Sequence, residues 1–148
     1  MGVGVFEKAG REVVDARERV AARVREELAA AGLPVAASGA YMGMLLGQGA
    51  EVTVDDGADA TGGVVIRWRC HPVLRERALS AFPRVIEDPV FLHQAAVEQT
   101  TLVAITAVLC SAGFTVIDNP DDMDPMSLKV ESAPQPGTPL TWQVPTAV

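Results

Sequence analysis

The residues with the greatest chemical capacity in this 148-residue chain stand together at Arg67-Trp68-Arg69-Cys70-His71. Two arginines two positions apart on an extended segment share a face, and a helix beginning at Pro72 would aim its first amides nearby. Arg67, Arg69 and His71 are therefore candidates for a small anion site, since guanidinium forks suit carboxylates and phosphates. The competing expectation is that both arginines pair with Glu51 and neighbouring acids on a solvent face, while Trp68 and Cys70 pack inward.

Other chemistries are harder to assemble. A cysteine nucleophile needs a thiolate beside a base that a third group orients. Cys70 and His71 are adjacent on an extended stretch, so their side chains point to opposite faces, and His93 lies about 25 Å of helix from Cys110. Two Cys and two His without ligand spacing do not make a zinc site. The acids Asp118, Asp121, Asp122 and Asp124 fail as a calcium loop because Pro120 occupies the third ligand position. Gly2-Gly4 and Gly47-Gly49 lack the third glycine and the strand-then-helix context of a nucleotide site. His93 and Glu98, five residues apart on a helix, do not share a face. The sequence thus assigns no catalytic residue, no metal and no cofactor.

A net charge of −7 argues against nucleic acid as a partner, because binding phosphates depends on clustered basic residues. The patch Arg17-Arg19-Arg23-Arg25 is interleaved with acids and reads as a solvated mixed-charge face. The first residues lack the basic start and apolar core of a signal peptide, and no apolar run suits a bilayer span, so the expectation is a soluble cytoplasmic protein without a membrane partner. Cys70 and Cys110 read as free thiols.

These residues must be held by regular elements. From about Val5 to Ala31 the chain reads as an amphipathic helix of roughly 40 Å, with Phe6, Val13, Val20, Val24 and Leu28 on its inner stripe and Gly32-Pro34 ending it. Charged pairs Glu7–Arg11, Asp15–Arg19 and Arg23–Glu27 fall at helical i,i+4 spacing. Tyr41 to Leu46 reads as an edge strand turned by Gly47-Gln48-Gly49. Glu51–Asp55 and Val64–Arg69 both alternate. A register with Val54 opposite Val64 puts Val52 against Ile66 and Glu51 against Arg67, apolar with apolar and acid with base.

His71-Pro72 opens a short helix to about Phe82, with Val73, Leu74, Ala78, Leu79 and Phe82 inward. Asp88-Pro89 and Gly113 are start and stop signals of a long central helix. Glu98 is its only formally charged residue, and a helix apolar on nearly every side must be covered on every side, by this chain or by a second copy. Phe114–Ile117 and Met126–Val130 read as strands around an acidic turn. Residues 133–139 read as a Pro-rich extended linker to a C-terminal strand at 140–144, with Leu140, Trp142 and Val144 inward.

The expected fold is a single α+β domain over 1–148: an antiparallel sheet of about four to six strands, with a long N-terminal and a long central helix packed on one face. Its element order resembles that of secretion-chaperone-like folds, a likeness of order alone. The leading functional expectation is a non-enzymatic protein-binding or assembly protein acting as a homodimer. The rival is a small-molecule binding domain or enzyme whose pocket, between sheet and helices, is lined by Tyr41, Met44, Trp68 and Phe91 and gated by Arg67 or His71. A component of a larger assembly is the third.

Overall fold

The computed structural model describes residues 7–36, 47–59, 62–80 and 87–143. Within them lie α1 (Arg11–Ala30), β1 (Gly49–Asp55), β2 (Gly63–Arg69), α2 (Pro72–Leu79), α3 (Pro89–Ser111), β3 (Thr115–Asp118) and β4 (Leu128–Ser132). The four strands form one antiparallel sheet in the order β1-β2-β4-β3. This is the expected α+β arrangement, with α1 and α3 on one face of the sheet.

The β1–β2 hairpin adopts the register that alternation and charge dictate: Val54 faces Val64, Val52 faces Ile66 and Glu51 faces Arg67. Val52, Val64 and Ile66 are buried beneath Ala21, Val24 and Leu28 of α1 and Leu102, Ile105 and Leu109 of α3. Gly49 permits this hairpin to meet the chain that follows α1. Ala50 N–H donates to the Pro34 carbonyl, and a Cβ on Gly49, whose φ is +99°, would stand 2.3 Å from that same oxygen.

Both long helices stop by one device. After α1 the amides of Gly32 and Leu33 donate to Ala29 and Leu28. After α3 those of Gly113 and Phe114 donate to Cys110 and Leu109. The buried residue after the glycine, Phe114, folds back beside Leu109, so the cap also extends the core. At its start α3 is capped as its sequence signals, with Asp88 accepting from Val90 N–H at 2.8 Å.

Several expectations change. The first helix spans 20 residues, about 30 Å, not 40 Å. It starts at Arg11 because the chain before it is extended and pairs with the hairpin loop: Lys8 bridges Gly57, Ala9 N–H donates to Asp56 and Ala58 N–H to Glu7. Val13 is consequently 47% exposed, beyond the reach of the core. None of the three i,i+4 ion pairs forms. Arg23 instead donates to the carbonyls of Thr138 and Pro139, and Glu27 accepts from Thr141 N–H and Oγ. Nor is the arginine patch a merely solvated face, because Arg17 donates to the Asp55 and Gly57 carbonyls and Arg25 to Val52.

The short helix ends at Leu79, and Val73 and Leu79 stand 67% and 74% exposed rather than inward, leaving Ala78 as its buried contact. At the C-terminus, residues 141–143 turn where a strand is expected. Leu140 is buried, its N–H donating to Gln143 Oε1, and this local closure turns Trp142 outward, 56% exposed. The 133–139 segment turns too, with Thr138 N–H donating to the Gln135 carbonyl. The expected strand at 41–46, together with Phe6, Phe82 and Val144, lies outside the described residues.

Gly113→Ala tests the helix stop. A side chain at φ +92° costs roughly 1–2 kcal/mol, and its Cβ would press to 3.3 Å on Pro134 Cγ. The expected fall in melting temperature is roughly 2–8 °C. Gly32→Ala, with a similar φ but open space, should fall less. Equal melting of Gly113→Ala and the parent would refute this account.

Candidate functional site

Arg67 and Arg69 lie on the face of β2 turned away from the helices, and both are engaged by acids. Glu51, opposite Arg67 on β1, accepts from Arg69 Nε at 2.8 Å and stands 3.5 Å from Arg67 Nη1. On its other side Arg67 meets Asp124 through both Nε and Nη2, a two-point contact of guanidinium with carboxylate. Glu51 is only 15% exposed at its side chain, so this four-residue cluster has low water access and balances two positive with two negative charges.

Asp124 reaches that position because the 118–127 loop is tied by its own side chains. Asn119 N–H donates to the Ser127 carbonyl, Asn119 Nδ2 to Ser127 Oγ, and Ser127 Oγ in turn to the Asp124 carbonyl. Asn119 and Asp121 accept from the amides two residues on, so this turn is closed by side chain to backbone bonds. Among the described residues no group of three His, Cys, Asp or Glu is placed to hold a metal ion.

Trp68 points the other way, partly buried against the core. His71 caps α2: its Nδ1 accepts from Val73 N–H at 3.1 Å, so the ring nitrogen nearest the helix is already an acceptor in use. The structure therefore brings Arg67 and Arg69 together, sets Trp68 on the opposite face and gives His71 to the following helix. Phe91 stands 37% exposed in the first turn of α3, and Tyr41 and Met44 lie outside the described residues.

Cys70, between the arginines and the cap, is buried. Burial raises its thiol above the ordinary range, the nearby Glu98 carboxylate raises it further, and Arg75 opposes both. The proton therefore stays on sulfur at neutral pH, which is the opposite of what a nucleophile needs. Cys110, on the outward side of α3, is exposed.

A second locus was not apparent in the sequence. The segment 133–143 folds back across α1, clamped by Arg23 and by the buried carboxylate of Glu27, which receives two hydrogen bonds from Thr141, at 2.8 and 2.6 Å. A hollow of about 650 Å³ remains between α1 and this segment, with Ala16, Val20, Pro134 and Leu140 among its apolar lining residues and Arg23 and Glu26 among its charged ones. One signal pointed there. Glu27 sits on the inner stripe of α1 between Val24 and Leu28, where a carboxylate must find a partner.

Thiol labelling at pH 7.5 distinguishes the two cysteines. In the native protein Cys110 should react promptly with a maleimide, and Cys70 at least about tenfold more slowly, catching up only in denaturant. Equal native rates would contradict the environment assigned to Cys70.

In comparisons with known proteins, the chain matches no family model, no curated protein and no solved structure.

Proposed function

We propose that this chain is a non-enzymatic cytoplasmic protein that works by protein–protein association, first of all as a homodimer. One observation carries the reading. Helix α3 buries only Leu102, Ile105 and Leu109, and its outward side leaves Leu92 54% and Val103 66% exposed. Around them lie Ala96, Thr100, Ala104 and Ala107, all exposed, in a helix whose only formally charged residue is Glu98. Surface helices ordinarily turn charge to water, as α1 does. A 23-residue helix with an uncharged outer side offers a strip about 34 Å long whose natural cover is another protein surface.

The chemical candidates support the same reading. The arginines of β2 are balanced by Glu51 and Asp124, the Cys70 thiol is held protonated, and the His71 imidazole caps a helix. No helix of the described residues is long and apolar enough to cross a membrane.

Absolute mass by light scattering over a dilution series tests this directly. A dimer is expected at micromolar concentration. Val103→Glu, which puts a carboxylate on the strip without touching the core, should weaken it about tenfold or more, equivalent to ~1.4 kcal/mol. A monomer at every concentration, with no change in Val103→Glu, would remove the reading.

A second reading, a small-molecule site, draws on the hollow between α1 and the 133–138 segment, whose volume of about 650 Å³ falls in the ordinary range for ligand pockets. A ligand at 100 times its dissociation constant adds about 2.7 kcal/mol, so a metabolite pool should raise the melting temperature measurably. No shift with any pool would dispose of this reading.

A further inference from the structure

We propose that two copies of this chain join edge to edge through β3, antiparallel and centred on Val116. The two four-stranded sheets then become one sheet of eight strands, with both helix layers on the same side. This interface rests on the dimer reading above and specifies its surface.

The two edges of the sheet are treated differently. On the outer edge of β1, Ala50 exchanges hydrogen bonds with Pro34 and Ala36, both at 2.8 Å, and Arg25 covers the Val52 carbonyl at 2.7 Å. Further along, Arg17 covers the carbonyls of Asp55 and Gly57. Edge strands protected in this way resist pairing with other chains. The backbone of β3 makes no hydrogen bond beyond its ladder with β4 among the described residues, to main chain or to side chain. Among the described residues, then, β3 is the edge without such cover, a strand of four residues whose ladder with β4 shifts register between Thr115 and Val116.

The open edge also has an uncharged flank. Gln99, Val103 and Thr106 of α3 line a hollow of about 260 Å³ together with Asp118 and Met126, so this ridge of the helix rises from the β3 side of the sheet. Thr106 turns its hydroxyl back to the Leu102 carbonyl at 2.9 Å, satisfying it within the helix. From Gln99 to Ile117 the chain carries no formal charge. A partner meeting the edge of β3 therefore meets the outer strip of α3 as well.

Charge and parity are both compatible with a second copy as the occupant. Two bodies of net charge −7 repel except where their surfaces are neutral, and this strip is neutral on both. For both helix layers to stay on one side, residues facing each other across the two-fold axis must have the same parity along the strand. Centring on Val116 meets that condition. It sets Val116 against Val116 on the core side and Thr115 against Ile117 on the other, β-branched pairs that sheets favour. The two Asp118 residues then lie about 13 Å apart along the strands, beyond the ~8 Å screening length of physiological salt. Centring on Ile117 would bring them to about 7 Å.

Hydrogen–deuterium exchange of the full chain, read by mass spectrometry above and below the dissociation constant from light scattering, tests the surface. Amides of 115–118 and 99–106 should exchange at least about tenfold more slowly in the dimer, with β1 unchanged. A dimer that protects α3 but not β3 would overturn the edge pairing and leave the dimer reading standing, whereas a chain monomeric throughout would overturn both. As a second measurement, Thr115→Cys with Ile117→Cys, made in a Cys110→Ser background, should give a covalent dimer on mild oxidation. Monomer alone, from a protein that scatters as a dimer, would reject the register.

Discussion

Ile66 is the residue through which the two halves of the sheet become one. On one side it faces Val52 across the long β1–β2 ladder, and on the other it faces Leu128 across a β2–β4 ladder of only two residue pairs. So short a ladder supplies few hydrogen bonds, so the join depends on what packs over it. Ile66 is fully buried, as are Leu28 of α1 and Ile105 of α3, and the three belong to one apolar cluster with Val52 and Leu128. The helix layer thus holds the sheet together as much as the sheet positions the helices.

Once the core face is committed in this way, the two helices have different means left for their remaining sides. Helix α1 carries its charge there and uses it locally: Arg17 and Arg25 cover the β1 side of the sheet, while Arg23 and Glu27 hold the returning 133–143 segment. Each arginine satisfies carbonyl groups that edges and turns leave without partners. Helix α3 has no such side chains, and among the described residues nothing hydrogen-bonds the neighbouring β3 edge beyond its ladder with β4. The asymmetry between the helices and the asymmetry between the edges coincide, β1 with α1 and β3 with α3.

What the sequence revealed followed how local the cause was. The β1–β2 register was legible because parity and charge agreed on one pairing, Val52 with Ile66 and Glu51 with Arg67. Helix stops at Gly32 and Gly113 were legible because a left-handed residue is a local requirement. Arg23 and Glu27 misled, since their spacing allowed an ion pair within the helix. Their actual partners, Thr138, Pro139 and Thr141, lie more than a hundred residues on and offered donors and acceptors held in place by the fold. Trp142 misled through a clean alternation that a single turn from Leu140 to Gln143 interrupts. At the candidate site, Glu51 was foreseeable across the hairpin, whereas Asp124, 57 residues from Arg67, depended on a loop whose path only the fold determines.

The same distinction bears on function. Among the described residues the groups of the candidate site are held by neighbours, two guanidiniums by two carboxylates and an imidazole by a helix amide, while the Cys70 thiol is buried. What the fold leaves unengaged among the described residues is a strand edge and an apolar helix side that adjoin each other. A strand edge offers hydrogen bonds without sequence preference, and an apolar side offers area without direction. Side by side they would give a partner both a fixed orientation and a surface to bury, which is the physical basis of the association proposed above.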